Sequence, residues 1–85
     1  MEKFLRKHGE ARPWIAPWVI EIEEGDWRNP QNMIVAFPRA SWIPQAAQMM
    51  FRIKGNDYRV RAMITFASRV VLVHKAGTHA EANGW

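Results

Sequence analysis

Hydrophobic spacing changes period near residue 47, and that change leaves the chain few architectures. Before it, Trp14, Ile15, Trp18, Val19 and Ile22 recur at helical spacing. After it, Gln48 to Lys54 and Asp57 to Phe66 read as strands on either side of Gly55-Asn56, a dipeptide suited to a tight turn. A third run, Val70 to Ala76, follows a break at Ala67-Ser68-Arg69. Helices followed by a three-stranded antiparallel meander in the C-terminal half make an α+β fold, with N-terminal helices packed on a small antiparallel β-sheet. The 85 residues form a single domain, 1–85.

Within the first half, residues 2–8 read as a short helix closed by Gly9. Pro13 and Pro17 conflict inside one helix, because proline is tolerated only in the first turn. The second helix is therefore expected to begin near Ala16 and to end at Glu24, before Gly25. Gly25, Pro30, Pro38 and Pro44 punctuate the next stretch and leave room for one short helix, Gln31 to Phe37. The tryptophan stripe reads as core, with a binding surface as the alternative.

Several chemistries are excluded early. The chain has no Cys, so it has no disulfide framework, thiolate metal site or Cys nucleophile. No apolar run approaches the roughly 18 residues of a membrane span, and the charged start lacks the apolar core of a signal peptide. His79 and Glu81 alone make a weak metal pair, and no Gly-rich phosphate loop or Ser-nucleophile motif is present.

Charge is distributed unevenly. Residues 1–46 hold six basic groups (Lys3, Arg6, Lys7, Arg12, Arg28, Arg39) and six acidic ones (Glu2, Glu10, Glu21, Glu23, Glu24, Asp26). Residues 47–85 hold six basic groups (Arg52, Lys54, Arg59, Arg61, Arg69, Lys75) against Asp57 and Glu81, so the whole net charge of +4 lies there. A two-residue Gly55-Asn56 loop sets Arg52 opposite Arg59 and Phe51 opposite Val60. One face then collects Phe51, Ile53, Tyr58, Val60, Ala62, Ile64 and Phe66, and the other Arg52, Lys54, Asp57, Arg59, Arg61, Met63 and Thr65. Like charges directly opposite each other destabilise a sheet, so clustering them suits a phosphate-binding face. The same cations also serve solubility. A two-residue Ser68-Arg69 loop adds Leu72, His74 and Ala76 to the basic face and sends Val71, Val73 and Lys75 to the core. A three-residue loop buries His74 instead. On the basic face His74 is a candidate general base, because neighbouring cations disfavour its charged form.

Taken together, Phe51-Arg52-Ile53-Lys54-Gly55-Asn56-Asp57-Tyr58-Arg59-Val60 and, about twenty residues on, Gly77-Thr78-His79-Ala80-Glu81 resemble the signature of HigB-type toxins of bacterial type II toxin–antitoxin systems. Asp26-Trp27-Arg28-Asn29-Pro30 and Ala36-Phe37-Pro38 match in order and spacing, and the resemblance runs from Phe4 to Glu81. It implies a RelE-like fold, helices on one sheet face and RNA on the other, and an mRNA interferase acting in the ribosomal decoding site. It also implies a cytoplasmic protein silenced by a HigA-like antitoxin, with no membrane partner. Cleavage in such enzymes uses the RNA 2′-hydroxyl, leaves a cyclic phosphate and a 5′-hydroxyl, and requires no metal or other cofactor. The candidate catalytic residues are Arg59, Arg61, His74, His79 and Glu81, and the candidate RNA contacts are Arg52, Lys54, Asn56, Arg59 and Arg61. The chain departs from the family in two places. It lacks the strand that usually precedes the first helix, which is expected to expose a sheet edge or core flank, and it has Ala82-Asn83 where the pattern has Tyr-Asp. A non-catalytic RelE-like module that binds antitoxin or RNA is the alternative. An interaction domain built on the Trp-rich helix is a third class.

Overall fold

The computed structural model describes residues 1–85. Helices α1 (Glu2–Lys7), α2 (Arg12–Glu24) and α3 (Pro30–Ala36) precede strands β1 (Ser41–Ile43), β2 (Gln48–Ile53), β3 (Tyr58–Thr65) and β4 (Val70–Thr78), and a one-turn helix, α4 (His79–Ala82), follows. The strands form one antiparallel sheet in the order β1-β2-β3-β4. This is the expected α+β arrangement with one strand more than the meander.

α2 begins four residues earlier than expected. A 3₁₀ turn, Gly9–Ala11, feeds directly into it, with Pro13 in its first turn and Pro17 inside. An interior proline forfeits a backbone hydrogen bond and costs about 3 kcal/mol. Burial outweighs that cost here. Ala11, Ile15 and Trp18 fall on one stripe at 0%, 1% and 7% exposure, while Pro17 points to solvent. The stripe lies on the sheet, where Trp18 meets Phe51 edge to face at 5.1 Å and Phe37 reaches the same ring at 5.2 Å. Trp14 is 46% exposed and stands outside this core. α3 starts one residue early because the Asn29 side chain accepts a hydrogen bond from the Asn32 N–H at 2.9 Å, ahead of Pro30.

β1 is the strand that periodicity does not reveal. It has three residues, bounded by Pro38 and Pro44, too few to show alternation. Pairing with Met50, Met49 and Gln48 makes it a strand.

The β2–β3 register is the expected one, with Phe51 opposite Val60 and Arg52 opposite Arg59. Burial alternates accordingly: Phe51, Ile53, Tyr58, Val60, Ala62 and Ile64 are buried, and Arg52, Arg59 and Arg61 are half-exposed. The connection spans Lys54–Asp57 and not only Gly55-Asn56, with Lys54 and Gly55 both at positive φ.

β4 departs further from expectation. Thr65 pairs with Val70, so the loop is Phe66–Arg69, two residues longer at its start than Ser68-Arg69 alone. A shift of two preserves the faces, and Val71 and Val73 pair with Ile64 and Ala62 on the core side. A β-bulge then falls at His74, between Val73 opposite Ala62 and Lys75 opposite Arg61. The extra residue reverses everything after it. Lys75 joins Arg61 on the outer face, and Ala76, opposite Val60, packs against the core. The expectation had these two the other way round. β4 is an edge strand, with Val70, Leu72 and Val73 exposed.

Phe51, 1% exposed and touched by two aromatic rings, is the keystone of the interlayer packing. Phe51→Ala is expected to lower the unfolding free energy by about 3–5 kcal/mol. Trp14→Ala, at a half-exposed site, should cost under about 1 kcal/mol. Urea denaturation of the two variants checks the contrast.

Candidate nucleic-acid interface

The outer sheet face is built in rungs. One rung sets Arg52, Arg59 and Gly77 side by side, and the next sets Met50, Arg61 and Lys75. Successive same-face residues on a strand lie about 6.6 Å apart, close to the spacing of phosphates along a nucleic-acid strand. Arg59, Arg61 and Lys75 therefore form a compact cationic group. Sequence alternation alone misses Lys75, because a bulge leaves no mark on the hydrophobic pattern.

Two expected members of this group are diverted. Lys54 leaves the face. Its left-handed backbone at the turn carries Nζ to 5.6 Å from the Trp14 ring centroid on α2, with Asp57 at 3.6 Å. Arg52 stays in register but donates from Nη1 to the Arg39 carbonyl at 2.7 Å and to Ser41 Oγ at 2.9 Å. It thereby fastens the segment leading into β1.

At the opposite end of the same rung, Asn56, Arg59 and His79 close into a hydrogen-bonded triangle. Arg59 Nε donates to Asn56 Oδ1 at 3.2 Å, Asn56 Nδ2 donates to His79 Nδ1 at 2.9 Å, and Arg59 Nη2 reaches the same nitrogen at 3.3 Å. The Asn56 carbonyl also lies 3.3 Å from Nδ1. A guanidinium can only donate, so the Arg59 contact requires Nδ1 as its acceptor. The His79 backbone N–H donates to the Asp57 carbonyl at 2.8 Å, which pins the ring beside the β2–β3 turn. Residues more than twenty positions apart are thus brought into one cluster. His74 and Arg61 lie outside it. His74 is exposed on the bulge, and Arg61, one rung from Arg59, has its Nε buried without a hydrogen-bond acceptor.

Glu81 is organised differently from a proton acceptor. Its Oε1 accepts the Thr78 N–H at 2.9 Å, while Thr78 Oγ1 accepts the Glu81 N–H at 3.2 Å, a capping box on α4. Lys7 Nζ lies 3.1 Å from Oε2, and His8 Nε2 lies 3.1 Å from Oε1. The Thr78 backbone N–H and then the Lys7 ammonium hold the carboxyl well below its ordinary value of 4.5, at about 2. A carboxylate so stabilised is a weak base. Its geometry instead ties α1 to α4 and fixes the first turn of α4, from which His79 projects. Contacts between Lys7, His8 and Glu81 span more than seventy positions, so no local pattern announces them. Ala82, where the HigB pattern has Tyr, is buried at 5% exposure, so a larger side chain there must displace existing packing. No group of three or more His, Asp or Glu gathers in the molecule to hold a metal ion.

A cationic antiparallel sheet face, opposite a helical layer and with an imidazole held at its rim, defines a small α+β protein with one strongly basic surface. The chain belongs to the HigB family, the RelE-like toxic component of a toxin–antitoxin system, whose model matches residues 11–84. No curated protein matches the chain. Membership gives it a partner class, a cognate antitoxin. No helix of the fold is long and apolar enough to cross a membrane.

Because the folded pKa of Glu81 is depressed, its contribution to stability is present above pH 4.5 and is lost as pH falls towards 2. Glu81→Gln should therefore melt below the native chain at pH 7. The gap should close as pH is lowered through that window, as followed by circular dichroism. A gap of constant size would leave Glu81 without an electrostatic role.

Proposed function

We propose that this RelE-like toxin is a metal-independent endoribonuclease that cleaves mRNA on its outer sheet face, in the cytoplasm, under the control of a HigA-like antitoxin. The observation that carries the reading is the meeting of Asn56, Arg59 and His79 beside Arg61 and Lys75. Like charges held on adjacent rungs disfavour the folded state, and a buried guanidinium nitrogen without an acceptor adds about 1–3 kcal/mol. An RNA phosphate lying on this face supplies the missing negative charge.

In the proposed reaction the RNA 2′-oxygen forms a bond to phosphorus as the bond to the 5′-oxygen breaks. Arg59 and Arg61 neutralise the charge that builds on the phosphoryl oxygens. The triangle holds His79 so that its Nε2–H acts as a further hydrogen-bond donor to the phosphoryl group. His74, exposed on the β4 bulge next to Lys75, takes the 2′-proton, and the departing 5′-oxygen is protonated from water. Asn56 orients both Arg59 and His79. Glu81 acts at one remove, through the α4 cap that positions His79. Lys54 and Arg52, engaged elsewhere, are assigned minor roles in RNA contact.

Expression of the chain in translating cells, with mRNA 5′ ends mapped, tests the proposal directly. New ends bearing 5′-hydroxyls are expected, and co-expression of the neighbouring antitoxin should suppress them. Arg59→Ala and Arg61→Ala should each slow cleavage by about a hundredfold or more, with neither lowering stability by more than about 1 kcal/mol and Arg61→Ala relieving the cost of its buried nitrogen. Intact mRNA together with antitoxin binding would instead identify a non-catalytic module. Binding to single-stranded RNA should weaken with salt at a log–log slope of about −0.7 per phosphate contact, or roughly −2 for Arg59, Arg61 and Lys75 together.

A further inference from the structure

The C-terminal turn carries an aromatic ring back over the cationic face. The Trp85 N–H donates to the Ala82 carbonyl at 3.1 Å and the Gly84 N–H to the Glu81 carbonyl at 3.4 Å, so the chain reverses after α4. The indole comes to rest against Gly77, on the rung of Arg59. A Cβ at Gly77 would stand 3.2 Å from Trp85 Cζ2 and 3.2 Å from Glu81 Cβ, so the absence of a side chain opens the notch in which the ring sits. Lys75 Nζ lies 5.9 Å from the ring centroid. Trp85 is half-buried and falls just beyond the family match at residues 11–84.

We infer that Trp85 is a stacking platform for one nucleobase of a single-stranded RNA whose phosphates lie on Arg59 and Arg61. The inference rests on the proposed RNA-binding function and adds a base subsite to it. An aromatic ring beside a cationic track is the arrangement that binds single strands, because every base has a π-face while phosphates are uniformly charged. The ammonium of Lys75 occupies the ring in the free protein. A stacking base displaces it, and the exposed Lys75 side chain then reaches the phosphate next to that base. Displacement exchanges one cation–π contact for a stacked base and a phosphate contact, so the platform and the track reinforce each other.

The test uses a fluorescein-labelled six-nucleotide RNA with 2′-O-methyl groups throughout, which binds but cannot be cleaved, and a set of the same strands with a single abasic position. With the native chain, one abasic position is expected to weaken binding roughly tenfold or more while the others change it little. Trp85→Leu, which keeps an apolar filling at Gly77, should weaken the intact strand by a similar factor and abolish the abasic effect. Trp85→Phe should fall between the two. Native-like binding by Trp85→Leu, with Arg59→Ala strongly impaired, would overturn the stacking platform and leave the RNA face standing. An even response of the native chain to all abasic positions would overturn it without recourse to any variant. No binding of the intact strand at low salt would overturn both the platform and the RNA-binding reading beneath it.

Discussion

The pairing of Phe51 with Val60 and of Arg52 with Arg59 sets two surfaces at once. Since side chains alternate strictly along a strand, any register that buries Phe51, Val60 and Ile64 turns Arg52, Arg59 and Arg61 away from the helices. A slip of one residue would place three guanidinium groups against Trp18 and Met33, where no acceptors await them. The energetic preference for burying aromatic and aliphatic surface is therefore also what assembles the cationic face. Its mutual repulsion is imposed by the core and cannot be relieved by rearranging the sheet.

This coupling explains which parts of the molecule were legible in the sequence. The β2–β3 hairpin is read correctly because Phe51-Arg52-Ile53 and Tyr58-Arg59-Val60-Arg61-Ala62 alternate on either side of a turn containing glycine. The period break near residue 47 likewise separates helical from extended structure. Where expectation failed, a long-range or non-periodic cause took over. α2 runs through Pro17 because Ala11, Ile15 and Trp18 gain more from the sheet than one backbone hydrogen bond is worth. β1 exists only as a partner for β2. Strand parity places Lys54 on the outer face, but a residue at positive φ in a turn no longer obeys that parity, and its ammonium lies over Trp14.

The candidate site divides in the same way. Asn56, Arg59 and Arg61 follow from the hairpin, and the resemblance to HigB toxins adds His79 and Glu81. What the sequence could not convey is the difference between the last two. Both lie in the same five-residue segment, yet His79 turns towards Arg59 while Glu81 turns back to Thr78, Lys7 and His8. The helical turn of α4 separates them, and the carboxylate becomes the bolt between the two ends of the chain. The cations of the outer face are thus left without a carboxylate from this segment, because Glu81 is paired with Lys7 and His8 at the start of the fold.

The bulge at His74 has a consequence for how the chain tolerates length change. Val73 and Lys75 are both paired to β3, so His74 is the only residue of β4 between two secured rungs that has no partner of its own. Its deletion closes the ladder, leaves Ala62, Arg61 and Val60 with the neighbours they have, and removes only an imidazole. Deletion of Val71 or Val73 offers no such escape, since a core position must then be refilled from the wrong side. The sheet can therefore lose a residue at that single point without repacking its core, while the proton acceptor assigned to it would be lost. Comparison of relatives by position should be anchored on either side of it and not drawn through it.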